Sequence, residues 1–351
     1  MSSSRIGGHV RAGLLALSLA FAAVTSAATE PEAAATSTSA TALTEASEAA
    51  PGETPGDALR AQANSARVAV LARDPSAAAQ LASAWTAAIA RPPAEPGNLA
   101  IRLHLLRSRM LLSPDAPPDE IRALDATLAE LELEARARAL EGPRAFALLY
   151  RAELAATRGE AIRAQALAER VLLVPESDAT WEAQVLAEGL RERALRTADA
   201  SSEGADDEAL RGLRRARGIL ERVRPRVEAE LHLARARPIH ERLSGRLLAE
   251  AEASAAVRPG DEQALLREAL DTLEDLKRAE LRAYFGDPCL AGLAPTTPER
   301  LPGARLLYPV VLEDRVVLIV GRDGALAQVV SPMAPARLQT ESRKLRGALQ
   351  D

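Results

Sequence analysis

Apolar residues recur at helical spacing from about Asp57 to Phe285, and beyond Cys289 the period shortens to that of strands. The helical stretch is punctuated at Asp74-Pro75, Pro92-Pro93, Pro114 to Pro118, Gly142-Pro143, Pro175 and Pro259-Gly260. These breaks predict helices at about 57–73, 75–90, 97–112, 117–139, 143–157, 160–173, 177–197, 206–223, 225–256 and 261–285. Pro225 and Pro238 fall inside the ninth and are expected to split or kink it, because the ring removes a backbone donor and crowds the preceding turn. Helices of roughly 12–20 residues joined by short turns predict a mainly α chain, built as a helical-hairpin solenoid.

The clearest hairpin runs from Gly142 to Glu176. Arg158-Gly159-Glu160 makes its turn, Pro175 ends its second helix, and Ala152, Ala164 and Ala168 are small enough for the two axes to approach closely. This one unit resembles a tetratricopeptide repeat, which makes the expected fold a tetratricopeptide-like helical-hairpin solenoid. Ala200 to Asp207 reads as an extended loop in a later hairpin.

After a Pro-rich connector, Arg305 to Leu312, Val316 to Val320 and Ala325 to Ser331 read as three strands, with a hairpin signal at Arg322-Asp323-Gly324. Pro309 assigns the first strand to an edge or a bulge, and the unbroken apolar run of the second implies burial on both faces. A short helix over Ala336 to Leu349, with Leu338, Leu345 and Leu349 on one side, would cover the sheet. The domain organisation expected is 1–28 signal peptide, 29–56 linker, 57–285 helical-repeat region, 286–303 connector and 304–351 the β-rich portion.

The first two segments rest on composition. Arg5, His9 and Arg11 precede the apolar run Ala12 to Val24, and Thr25-Ser26-Ala27-Ala28 offers small residues for cleavage. The run falls short of the ~20 residues that span a bilayer, so the expectation is export to the periplasm or beyond, without a stable membrane anchor. Thr29 to Gly56 is Ala, Ser, Thr, Glu and Pro with almost no large apolar residue, a composition too poor in burial to order itself.

Charge narrows the partners. The net charge is −5, positive and negative residues alternate along the helices, and Lys277 and Lys344 are the lysines among 44 basic residues. Without a basic face, no nucleic-acid partner is expected; a protein or peptide on the solenoid surface is. One cysteine allows neither an internal disulfide nor a thiolate cluster for zinc.

The junction carries a resemblance. The run from Ala264 to Cys289, ALLREALDTLEDLKRAELRAYFGDPC, followed by ARLLYPVVLEDRVVLIV, resembles the entrance and first strand pair of the CHAT domain, a caspase-like domain that follows tetratricopeptide arrays in bacterial proteins. The resemblance covers Ala264 to Asp351, about a quarter of the chain. It implies the start of an α/β domain whose His and Cys catalytic motifs lie beyond residue 351, so no catalytic residue carries over. The expectation is an exported scaffold bearing an incomplete CHAT-like portion and no enzyme activity. The alternative is the front part of a cysteine peptidase whose catalytic half lies outside this chain.

The candidate side chains fit that absence. Cys289 follows Pro288 at the helix exit and reads as a packing residue, even with His240 one hairpin upstream. His232 and His240 are eight positions apart, but only Glu228 and Glu241 lie near them in sequence, too sparse for a metal site; they read as a solvated or interfacial pair. Arg214, Arg215, Arg217, Arg222, Arg224 and Arg226 alternate with Glu221 and Glu228 and read as a salt-bridged surface, while Glu130, Glu132 and Glu134 have no distinctive spacing. No catalytic, metal or cofactor residue is therefore assigned. Trp85 and Trp181 read as core anchors. Tyr284-Phe285 reads as a seal between the last helix and the β-rich piece, for which Phe285→Ala would cost ~3 kcal/mol.

Overall fold

The computed structural model describes residues 55–71, 74–91, 97–113, 116–198, 204–255, 258–285, 305–312, 314–322, 324–331 and several positions between 333 and 344. The expected export signal, nearly all of the expected linker, the connector with Cys289 and most of the stretch expected to form a C-terminal helix lie outside the described residues.

Among the described residues there are ten helices: α1 (Pro55–Leu71), α2 (Ala77–Ile89), α3 (Asn98–Leu112), α4 (Pro118–Ala137), α5 (Glu141–Thr157), α6 (Ala161–Leu172), α7 (Trp181–Ala198), α8 (Ala205–Val223), α9 (Ala229–Ser254) and α10 (Pro259–Phe285). Three strands follow: β1 (Arg305–Val311), β2 (Val316–Arg322) and β3 (Ala325–Ser331). The chain is mainly helical with a small antiparallel sheet, as the periodicity predicts. The ninth helix differs in detail: it starts at Ala229, leaving Pro225 outside, and runs through Pro238 without a break. None of the described helices is long and apolar enough to cross a membrane.

The chain forms two compact units. One takes residues 50–246 and 272–293, so it holds α1 to α8, the first part of α9 and the second part of α10; the other holds the remaining parts of those two helices and the sheet.

Within the helical unit, each helix from α1 to α7 packs against its successor, and α1 also packs on α3, α3 on α5 and α5 on α7. The odd helices therefore form one layer and the even helices flank it. Small residues make the approach possible: Ala66, Ala84, Ala88, Ala145, Ala147, Ala152, Ala164, Ala168, Ala183 and Ala187 are all fully buried. The layer extends to α9, which comes close to α7 at Gly189. A β-carbon there would stand 3.0 Å from the Arg242 guanidinium and 3.3 Å from Ile239, and Arg242 donates to the Gly189 carbonyl at 3.1 Å. The α5–α6 turn sits at Gly159, with φ of 74°, a left-handed conformation that costs glycine nothing.

In the second unit the strand order is β1-β2-β3. Pro309 lies on edge strand β1, opposite Leu318, and the Arg322↔Ala325 pairing closes a two-residue hairpin onto Gly324. Val317, Leu318 and Ile319 are consecutive and buried, so β2 is covered on both faces. Gln263 of α10 both donates to the Leu326 carbonyl at 2.6 Å and accepts from its amide at 2.9 Å. Gln328 donates to Leu248 O of α9 at 3.0 Å.

Candidate functional site

The odd-numbered layer gathers polar and aromatic side chains that the hydrophobic pattern leaves unexplained. His104 and Arg107 are one turn apart on α3; Phe146, Tyr150 and Glu153 follow i, i+4, i+7 spacing on α5. Glu182 and Arg193 come from α7, and Arg235 from α9.

These groups are joined directly. The buried Tyr150 hydroxyl lies 3.2 Å from His104 Nδ1. The rings of His104 and Phe146 stand 5.7 Å apart, and those of Phe146 and Tyr150 5.8 Å apart. Arg107 lies 5.1 Å over the face of Tyr150, within the range of a cation–π contact, and donates to Glu153 at 3.1 Å. Arg235 pairs with Glu182 at 2.5 Å, tying α9 to α7.

Burial dominates the electrostatics. Desolvation and the nearby Arg67 hold the His104 imidazole below its ordinary value, although part of the residue reaches the surface. Desolvation also pushes the Tyr150 phenol well up, against the pull of Arg107. Glu153 is raised by burial despite Arg107, Arg193 and Arg235. The result is an imidazole and a phenol sharing one hydrogen bond, beside a carboxyl that three arginines attract.

Apart from this cluster, a concavity of about 850 Å³ opens where α6, α7 and α8 meet, lined by Leu172, Leu173, Val174 and Ile219 with charged groups around them. Its charges are largely matched within the protein. Arg215 holds Glu188 at 2.6 Å, Arg191 holds Glu208 at 2.5 Å, and Arg222 holds Glu176 at 2.7 Å.

The arginine run on α8 is salt-bridged as expected, but chiefly to other elements. Arg215 pairs with Glu188 of α7, Arg217 with Asp275 of α10, Arg222 with Glu176 and Arg226 with Asp178, while Arg215–Glu208 and Arg224–Glu221 are local pairs. Trp181 is buried, and Trp85 is half-buried against both neighbouring hydrophobic clusters, matching their expected core roles. His232 and His240 are both buried, at 2% and 1% exposure, so they are interfacial and not solvated. Cys289 lies outside the described residues.

One expectation is corrected. Tyr284 and Phe285 are 76% and 60% exposed, so they seal nothing; their rings meet edge to face, 4.8 Å apart, covering each other. Sequence reasoning also missed the buried carboxylates. Glu132, passed over for its spacing, is 4% exposed and held by Arg151 at 2.8 Å and Arg170 at 2.5 Å. The odd-layer cluster did leave a trace, since Phe146, Tyr150 and Glu153 form a helical stripe in a chain with 2% aromatics. No protein-family model, curated protein or solved structure matches the chain.

Proposed function

We propose that this chain is an exported binding scaffold that holds a peptide or protein segment on the face of its odd-numbered helices and performs no chemistry of its own. The observation that carries the reading is the convergence of His104, Arg107, Phe146, Tyr150, Glu153, Glu182 and Arg235 from four odd helices. A layered helix array presents such a face continuously, so an extended segment can contact several helices at once. Rings beside guanidiniums suit a segment carrying an acidic group next to an apolar side chain.

Screening the purified chain against a peptide array tests this. Acidic–apolar peptides should bind, and the double variant His104→Ala, Arg193→Glu, altered at two exposed positions, should weaken them tenfold or more with helicity unchanged. Peptides held equally by the variant, or no peptide held at all, would sink the reading. Export is checked separately by the N-terminal residue of protein recovered outside the inner membrane, expected near Ala28; recovery with Met1 in place contradicts it.

The helix-to-strand order from α10 into β1, β2 and β3 favours a second reading: the front part of a CHAT-like cysteine peptidase. Coding sequence beyond codon 351 that supplies one His and one Cys motif would support it, and the absence of both would remove it.

A further inference from the structure

Glu221 of α8, His240 of α9 and Asp275 of α10 meet inside the helical unit, far apart in sequence. One ring nitrogen of His240 and one carboxylate oxygen from each acid lie within 4.8 Å of one another. His240 is 1% exposed and Asp275 6% exposed, while Glu221 is half-buried. The tautomer of His240 follows from its other contact. Nδ1 lies 2.8 Å from the Ala236 carbonyl, which can only accept, so Nδ1 carries the proton. Nε2 is then a bare lone pair; it is fully buried and meets no hydrogen-bond partner.

Nε2 thus has no partner of its own beside two carboxylates that are paired to guanidiniums, and a buried ring nitrogen left without a partner is costly unless something supplies one. We propose that Glu221, His240 and Asp275 bind a divalent first-row transition ion, of the Zn²⁺ class, joining α8, α9 and α10. A mixed set of one imidazole and two carboxylates favours that class over Mg²⁺ or Ca²⁺, which take all-oxygen sets. The Nδ1–H to carbonyl bond is the orienting contact such a histidine uses. Three protein ligands leave a fourth position for water.

Two features set the terms of binding. Ligand atoms on a tetrahedral zinc stand about 3.4 Å apart, so the group must contract. Glu221, with the longest acidic side chain and the greatest exposure, makes that move. Guanidiniums also compete: Arg217 and Arg278 pair with Asp275, and Arg224 pairs with Glu221 at 3.2 Å. Arg217 and Arg224 retain 23% and 25% side-chain exposure and can turn toward water, whereas His240 cannot leave. The affinity is accordingly lower than that of a site with no cation beside it.

The test uses the untagged full chain, stripped with a chelator, and Co²⁺ as the probe. Ligand-field absorption should report one equivalent bound at a low-coordinate site. Zn²⁺ should displace it and raise the melting temperature, with Mg²⁺ doing neither. Glu221→Gln should weaken Co²⁺ at least tenfold and abolish the Zn²⁺ shift in melting. His240→Gln should do the same; if that variant fails to fold, the half-buried Glu221 position decides. Failure of the wild-type chain to bind Co²⁺ or Zn²⁺ overturns the proposal. So does binding that Glu221→Gln leaves unchanged, because the ion then sits on other donors.

Discussion

Glu208 lies within reach of the guanidiniums of Arg191, Arg211 and Arg215, and hydrogen bonds from the first two chiefly hold its carboxyl down at about 2. In the unfolded chain the same group titrates near 4.5. Its contribution to stability is therefore present above that value and lost as the pH falls toward about 2. Glu208→Gln should cost less than ~1 kcal/mol at neutral pH, because the pairs are solvent-screened. The difference between the two proteins should vanish at the acid end. Urea melts of both proteins along a pH series would show it, and a gap that stays constant to acid pH would contradict it. Phe285 behaves oppositely to its reading as a seal. With 60% of it exposed, Phe285→Ala should shift stability by no more than ~0.5 kcal/mol, measurable as an unchanged urea midpoint. An aromatic pair at a helix end looks the same in sequence whether it packs inward or only on itself, and what lies opposite it is a long-range matter.

Helix α4 is fastened to its neighbours by two acids a double turn apart. Asp125 takes Arg151 at 3.0 Å and Arg163 at 2.5 Å; Glu132 takes the same Arg151 at 2.8 Å and Arg170 at 2.5 Å. Arg151 of α5 thus bridges both acids, and each acid also reaches α6. Removing Glu132 leaves Arg151, 16% exposed, short of its buried counter-charge. Glu132→Ala should cost about 3 kcal/mol, read by thermal or urea unfolding; a loss below ~1 kcal/mol would mean both arginines simply turn to water. In the sheet, a β-carbon on Gly321 would stand 2.9 Å from Leu306 Cβ and 3.1 Å from Leu326. Gly321→Ala should destabilise by roughly 1–3 kcal/mol through overpacking, visible as a lower melting temperature for the sheet signal. Elements themselves were legible because their signals are local. Proline breaks and apolar spacing placed all ten helices among the described residues within a few positions, and Asp323-Gly324 placed the hairpin. Partners across elements were not legible: nothing near Glu132 in sequence announces Arg170, and Glu228 and Glu241 stood closer to His240 in sequence than Asp275, which reaches it in space.

At the scale of the molecule, cohesion in the helical unit comes from neighbour-on-neighbour packing of small apolar residues, supplemented by ion pairs that cross helices. Perturbation should then decay along the series. With Glu132→Ala, amide exchange should accelerate most in α4, α5 and α6 and least in α8, which hydrogen-exchange mass spectrometry resolves helix by helix; uniform acceleration would instead indicate a single cooperative block. The odd-layer cluster belongs to this scale too, since it exists only once four helices have stacked, and only its α5 stripe could be seen beforehand. The placement of the two tryptophans has an optical consequence. Trp85 on α2 and Trp181 at the start of α7 both lie in the helical unit, while β1 carries only Tyr308 as a chromophore. Indole emission is therefore a private channel for the helix array, and the difference between it and the whole-chain circular dichroism trace reports the second unit, sheet and helix ends together, without any label.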